Sequence, residues 1–136
     1  MYNAVAGVLA VILTVCTLSC NSKPEPSSRS EILELSAKTF VATLAKEDYT
    51  AAEKDFAAEL KSRLPPEKLK EIWKAVVSQA GAFQEQLDPQ TAKSLEQNVV
   101  YDILVIPCRF ERSTLNLRLA FNDQNQIAGM FFVAPT

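Results

Sequence analysis

The sequence predicts an α+β domain, in which three N-terminal helices pack on a curved, mainly antiparallel four-stranded sheet. Two observations predict this class. From residue 30 to residue 80 apolar residues recur every three or four positions, as on one face of a helix, and after Gly81 they alternate, as in a strand. Short polar turns separate the later strands, so we expect neighbouring strands to pair as antiparallel hairpins.

Capping residues mark the starts of the first two helices. Ser28 with Glu31, and Thr50 with Glu53, have the spacing of a capping box, in which each side chain accepts a hydrogen bond from the other residue's backbone. The apolar residues that follow at helical spacing should face the core. They are Leu33, Ala37, Phe40, Val41 and Leu44 in the first helix, and Ala52, Phe56, Leu60 and Leu64 in the second.

Proline and glycine bound the third helix. Pro65 and Pro66 end the second helix, and Pro66 also fits the first turn of the third, where no partner is needed for a backbone N–H. Gly81 suits the position just after the last turn. The residues of this helix that should face the core are Leu69, Ile72, Trp73, Val76 and Ala80.

Four strands are expected after the helices, over residues 82–87, 99–110, 114–121 and 126–133. Residues 88–96 are mostly polar and predict a connection between the first two of these strands. The strand at 114–121 alternates cleanly between apolar and polar residues, which indicates that one of its faces is in contact with water.

Two residues within these strands predict local irregularities. Pro107 cannot donate a hydrogen bond to a neighbouring strand, so it should mark a bulge or an edge position. Gly129 suggests a bend or a close backbone approach.

The composition excludes several functional classes. The chain has 136 residues, a net charge of -2 and no histidine. Without histidine it can form neither a Ser-His-Asp nor a Cys-His catalytic site, and no His-ligated metal site. Nucleic-acid binding needs a basic surface that this charge balance does not provide. We therefore expect no metal, no cofactor and no nucleic-acid partner.

The N-terminal segment predicts export and lipid attachment. Residues 1–19 contain no charged residue, and Ala4 to Leu18 is almost continuously apolar, with the length typical of a signal peptide. The segment Thr17-Leu18-Ser19-Cys20 resembles a bacterial lipobox, in which the cysteine thiol is acylated and the chain is cut just before it. We expect residues 1–19 to be the signal peptide and Cys20 to be the lipidated residue. An uncleaved membrane anchor is the alternative.

The chain after Cys20 divides into a tether and one domain. Residues 20–29 are small, polar and proline-containing, which is typical of an extended linker with a reach of roughly 25 Å. Residues 30–136 form the predicted α+β domain. If Cys16 leaves with the signal peptide and Cys20 is acylated, Cys108 is the single remaining thiol, expected in the core. The predicted location is the bacterial cell envelope, on the periplasmic or extracellular face of a membrane.

Several stretches resemble a known family. They are Leu64–Leu69 (LPPEKL), Ile72-Trp73, Gly81–Phe83 (GAF), Phe110–Leu117 (FERSTLNL) and Ile127–Phe132 (IAGMFF). Together they resemble a bacterial family of uncharacterised domains often found ahead of α/β-hydrolase domains. That family is similar to the nuclear-transport-factor-2-like, or cystatin-like, class, which implies a cone-shaped sheet wrapped around a helix. The resemblance implies no catalytic residue.

The cone fold implied by this resemblance often encloses an apolar pocket, and seven aromatic residues could line one here. They are Trp73, Phe83, Tyr101, Phe110, Phe121, Phe131 and Phe132. The alternative is that these side chains simply fill the core.

Four functions remain open at this stage. The first is a non-enzymatic, membrane-anchored cell-envelope lipoprotein that binds a small apolar ligand, a cell-wall component or a protein partner. The second is an accessory domain that acts with a separate hydrolase or forms a homodimer. The third is an isomerase-like enzyme with an apolar pocket, although Tyr101 and Asp102 are adjacent and point to opposite faces of a strand. The fourth is an anchored structural protein without a pocket.

Overall fold

The computed structural model describes residues 28–135. The predicted signal peptide, Cys20 and most of the tether lie outside these residues. The helical part consists of α1 (Arg29–Ala45), α2 (Tyr49–Ala52), one turn of 3-10 helix (Glu53–Asp55), α3 (Ala58–Arg63) and α4 (Pro66–Ala80). The strands are β1 (Phe83–Gln86), β2 (Gln90–Glu96), β3 (Val99–Phe110), β4 (Thr114–Phe121) and β5 (Ile127–Val133). The predicted α+β class is confirmed, with the helices packed against an open antiparallel sheet.

The long strand β3 organises the sheet. Both β1 and β2 pair with one side of β3, β4 pairs with its other side, and β5 pairs with β4; all four pairings are antiparallel. Pro107 lies between Val105, the last partner of β2, and Cys108, a partner of β1. The residue without a backbone N–H therefore stands where the pairing passes from one strand to the other, and its carbonyl accepts a 2.8 Å hydrogen bond from the Leu87 N–H.

The sheet has five strands, so the prediction of four was wrong. The missed strand is β2, which lies within residues 88–96, the segment expected to be a polar connection. Its residues are almost all exposed and show no apolar alternation. The strand is held by backbone pairing with β3 and not by burial of its side chains, so the apolar pattern could not indicate it. The turn between the two strands has positive φ at both Gln97 and Asn98, the geometry of a tight two-residue hairpin.

The second predicted helix is broken into α2, the 3-10 turn and α3. Its cap is Asp48, whose Oδ1 accepts a 3.1 Å hydrogen bond from the Ala51 N–H, so the capping box predicted at Thr50 and Glu53 was wrong. The chain leaves the helix at Phe56 because the next residue, Ala57, donates a 2.8 Å hydrogen bond to the carbonyl of Ile127 in β5.

The other predicted helix boundaries are confirmed. Ser28 and Glu31 form both hydrogen bonds of the capping box, each 3.3 Å long. Pro66 occupies the first turn of α4, and Gly81 follows its last residue with φ of 91°. Next to Gly129, the register of β4 and β5 shifts, since Gly129 pairs with Ala120 but Ile127 pairs with Phe121. The close backbone approach considered for Gly129 is absent, because an added Cβ would lie 3.5 Å or more from its neighbours.

One face of the sheet and the helices form a single apolar core. The inner face, which points toward the helices, carries Leu104, Ile106, Cys108 and Phe110 on β3; Leu117, Leu119 and Phe121 on β4; and Met130 on β5. They pack with residues of α1, α2 and α4, including Leu33, Phe40, Leu44 and Leu69. None of the helices between residues 28 and 135 is long and apolar enough to cross a membrane.

The turn between β3 and β4 is hydrogen-bonded to the C-terminal end of α4 and to Ala82, which follows it. The Glu111 N–H donates to the Ala82 carbonyl, and the Arg112 N–H donates to that of Ala80, at 3.0 and 2.8 Å. The Arg112 guanidinium also donates a 2.8 Å hydrogen bond to the Ser78 carbonyl. The two Arg112 donors satisfy carbonyls in the last turn of α4, which the end of a helix leaves without partners. The FERST stretch therefore acts as a cap for α4.

Candidate functional site

Four of the seven candidate pocket residues form an aromatic cluster. The ring centroid of Trp73 lies 5.9 Å from that of Phe83, 5.8 Å from that of Phe110 and 6.2 Å from that of Phe132. The side chain of Trp73 is only 4% exposed, and Phe110 is buried as well. The four rings fill the space between α4 and the inner face of the sheet, where they contribute to core packing.

The other three candidates are dispersed. Phe121 is fully buried on the inner face of β4. Tyr101 is half-buried on the outer face of β3, opposite Ser94 of β2. Phe131 is 62% exposed on β5. The seven aromatic residues thus do not surround one cavity in the described part of the chain.

An apolar groove runs between α4 and β5. We call it the α4–β5 groove; it has a volume of about 470 Å³. Its lining consists of Ile72, Ala75, Val76, Gln79, Leu115, Met130, Phe131, Phe132, Val133 and Ala134. None of these residues is charged, and Gln79 is the only one with a polar side chain. The groove is therefore suited to an uncharged, apolar occupant.

The backbone next to this groove is the outer edge of the sheet. β5 pairs with β4 on one side. On its other side, Ile127 accepts the hydrogen bond from Ala57 and forms a bridge with Phe56. Within residues 28–135 no strand pairs with this side of β5 beyond Ile127. From Ala128 to Val133 the edge thus offers backbone hydrogen-bonding groups to another chain.

A second crevice, whose lining includes the charged residues Arg29, Lys93 and Asp102, lies between the start of α1 and the β2–β3 hairpin. Its volume is about 340 Å³. The carboxylate of Asp102 forms ion pairs with Arg29 through one oxygen and with Lys93, at 3.7 Å, through the other. The Arg29 guanidinium also donates to the Asn125 Oδ1 at 2.8 Å and to the Asn122 carbonyl at 2.6 Å. These contacts tie the first residue of α1 to the sheet.

The chemistry available to these side chains is limited. Both oxygens of Asp102 are paired, so this carboxylate is not a free base. Cys108 is fully buried, and burial raises the pKa of its thiol to about 12, which suppresses the reactive thiolate. Among the described residues no three Cys, Asp or Glu side chains gather as they would around a metal ion.

Sequence reasoning missed both the groove and the ion-paired crevice. Residues 127–136 contain no charged residue, which is unusual for an edge strand and could have indicated the groove. Nothing in the sequence indicates the pairing of Arg29 with Asp102, because only the folded topology brings the start of α1 beside β3.

The fold and the comparisons with known proteins place the chain in a family. The arrangement of helices against an open five-stranded antiparallel sheet is consistent with a nuclear-transport-factor-2-like fold. Residues 37–130 match the family described as "Protein of unknown function (DUF3887)", and the chain belongs to that family. No curated protein matches the chain.

A solved structure has the same fold. It is described as "NMR structure of protein from Ruminococcus gnavus ATCC 29149". The TM-score is 0.62 at 18% sequence identity, over 79% of this chain and 94% of that chain. At this identity the similarity concerns the fold alone.

Proposed function

We propose that the chain is a lipid-anchored protein of the bacterial cell envelope, whose domain binds a partner protein and catalyses no reaction. The observation that carries the binding role is the uncharged α4–β5 groove beside an open strand edge. The anchor is supported by the lipobox-like segment ending at Cys20 and by the polar tether that follows it.

The packing of the interior favours a surface partner over a small ligand inside the cone. Trp73 and its three neighbouring phenylalanines pack against one another between α4 and the inner face of the sheet and so fill this part of the interior. Phe131 is instead exposed at the groove, and exposed aromatic side chains are frequent anchors in protein interfaces.

The open edge of β5 indicates how a partner would bind. Natural edge strands are usually protected by lysine, proline or inward-pointing charges. Between Ala128 and Val133 this edge has none of these residues. An extended, uncharged segment of the partner can pair with the β5 backbone while its apolar side chains enter the groove. A separate hydrolase, suggested by the sequence resemblance, and a second copy of this chain are two partners that could supply such a segment.

The charged groups support a non-catalytic role. An isomerase of the type considered above needs a carboxylate base inside an apolar pocket together with an acid that stabilises an oxyanion. Here Asp102 is neutralised by Arg29 and Lys93. Tyr101 extends from the opposite face of the strand and cannot act on the same atom.

The anchor is tested by changing the proposed lipidated residue. Cys20→Ala in the native host should move the chain from the membrane fraction to the soluble fraction, because no acyl chain can attach. Cys16→Ala is the matched control, since it removes a thiol from the same segment and should leave the chain on the membrane. Retention of both variants on the membrane would contradict lipidation at Cys20.

The partner site is tested by site-specific photocrosslinking. A photoreactive amino acid at Phe131 of the full chain should give a discrete adduct in cells. The same amino acid at Leu35 of α1, which is 61% exposed, is the control, because its exposure matches that of Phe131. Adducts at both positions alike, or at neither, would show that the groove is not a binding site.

A further inference from the structure

The β2–β3 hairpin projects beyond the rest of the sheet. β3 pairs with β4 only as far as Asp102, whereas its pairing with β2 continues to the pair formed by Glu96 and Val99. Residues 95–100, which we call the hairpin tip, therefore form a two-stranded ribbon without a third strand. At about 3.4 Å per residue the tip extends about 10 Å past β4.

The hairpin tip exposes aliphatic side chains to water. Leu95 is 68% exposed, Val100 54% and Val99 46%. Leu95 and Val100 are direct cross-strand partners and lie on one face, whereas Val99 lies on the other. None of the three belongs to the core, and within the described residues no third strand pairs with the ribbon here. Core packing therefore does not account for these apolar residues.

The hairpin tip is at the end of the domain where the tether enters. The tether runs into α1 at Arg29, and Arg29 is ion-paired to Asp102, only two residues from Val100. The turn between β3 and β4 lies at the opposite end of β3. With Cys20 acylated as proposed above, the eight residues from Cys20 to Ser27, whose reach is roughly 25 Å, would keep this end close to the bilayer.

We propose that the hairpin tip inserts into the lipid surface beside the anchor and so fixes the orientation of the domain on the membrane. This inference rests on the lipid anchor proposed above. The projection of about 10 Å is similar to the depth of about 5–10 Å to which apolar faces enter the headgroup region. Tyr101, half-buried at the base of the tip, is a residue type enriched at membrane interfaces.

The charges around the hairpin tip indicate that the contact is apolar and not ionic. Arg29 and Lys93 share the carboxylate of Asp102. Glu96, the only charged residue of the tip, accepts a 3.3 Å hydrogen bond from the Ser94 hydroxyl, which directs its carboxylate back along the strand. We therefore expect the tip to insert into vesicles of neutral phosphatidylcholine without any requirement for anionic lipids.

The experiment uses the full lipidated chain with one fluorescent label. Val99→Cys carries an environment-sensitive probe, and Ser113→Cys, in the turn at the opposite end of β3, is the matched control. Cys108 stays unlabelled because it is fully buried. In phosphatidylcholine vesicles the probe at position 99 should shift its emission to the blue and be quenched by spin-labelled lipid, whereas the probe at position 113 should show neither change.

A second variant tests whether the apolar side chains cause the lipid quenching of the probe. Replacing both Leu95 and Val100 by serine should abolish the lipid quenching at position 99 and leave the melting temperature of the domain nearly unchanged, because both residues are exposed. Continued quenching in this variant would overturn the role assigned to the two side chains.

The outcomes separate this inference from the anchor proposal. If the chain is membrane-bound but the probe at position 99 stays in water, or shifts without lipid quenching, the inference is overturned and the anchor remains supported. If intact mass shows no acyl chain and the chain does not remain on the vesicles, both are overturned.

Discussion

Replacing Trp73 by alanine tests whether the aromatic cluster is the centre of the core. A buried Trp side chain removes about 200 Å² from water. At about 25 cal/mol per Å² this corresponds to about 5 kcal/mol, of which alanine retains a small part. We expect Trp73→Ala to lower the free energy of unfolding by about 4 kcal/mol, within the range of about 3–5 kcal/mol typical of such changes. Urea unfolding followed by far-UV circular dichroism measures this loss, since the variant lacks the chain's only Trp.

Phe131→Ala is the control for this measurement. Its ring is large and aromatic but 62% exposed, so its removal should change the free energy of unfolding by no more than about 0.5 kcal/mol. Where Trp73→Ala prevents folding, the milder Trp73→Phe should fold and show a smaller loss. A loss below about 1 kcal/mol for Trp73→Ala would refute the assignment, because a ring that fills the core cannot be removed at so low a cost.

Three further predictions follow from individual contacts. Gly81→Ala should destabilise the domain by about 2 kcal/mol in urea unfolding, because φ is 91° and an added Cβ would lie 2.7 Å from the Cβ of Glu111. A neutral effect would contradict the close packing of Gly81 against the β3–β4 turn. Arg29→Lys should weaken the domain nearly as much as Arg29→Ala, since an ammonium cannot reproduce the separate contacts of the guanidinium with Asp102 and with the β4–β5 turn; full stability of the lysine variant would contradict this. Burial raises the pKa of Cys108 from 9.0 to about 12, so the folded state binds the thiol proton more tightly than the unfolded state. The thiol's contribution to stability is therefore complete below pH 9 and declines as the pH rises toward 12. In Cys108→Ala the free energy of unfolding should decline less over the same pH range.

Much of the fold could be predicted from local patterns. β3 and β4 have the predicted bounds, because β3 is a long, mostly apolar run and the apolar residues of β4 alternate with polar ones. β2 was missed because its residues are exposed and its existence depends on backbone pairing with β3. The break in the second predicted helix was missed for a related reason, since the hydrogen bond from Ala57 to Ile127 joins segments far apart in the sequence.

The candidate site could be predicted only in part. Apolar spacing correctly indicated a buried Trp73, but it could not separate a filled core from a pocket, because both require inward-facing aromatic rings. The groove depends on β5 being the last strand of the sheet, which alternation within β5 does not reveal. The ion pair between Arg29 and Asp102 joins two residues whose proximity arises only from the packing of α1 on the sheet.

The attachment of Arg29 to the sheet determines how a mechanical pull on the N-terminal segment would enter the domain. A force applied at residue 28 acts next on Arg29, whose guanidinium is bound to the middle strand of the sheet and to the β4–β5 turn. Part of the load therefore passes into β3, which is paired on both sides, and into the β4–β5 turn, and not into the first turn of α1 alone. A domain held in this way can resist tension from the surface to which it is attached.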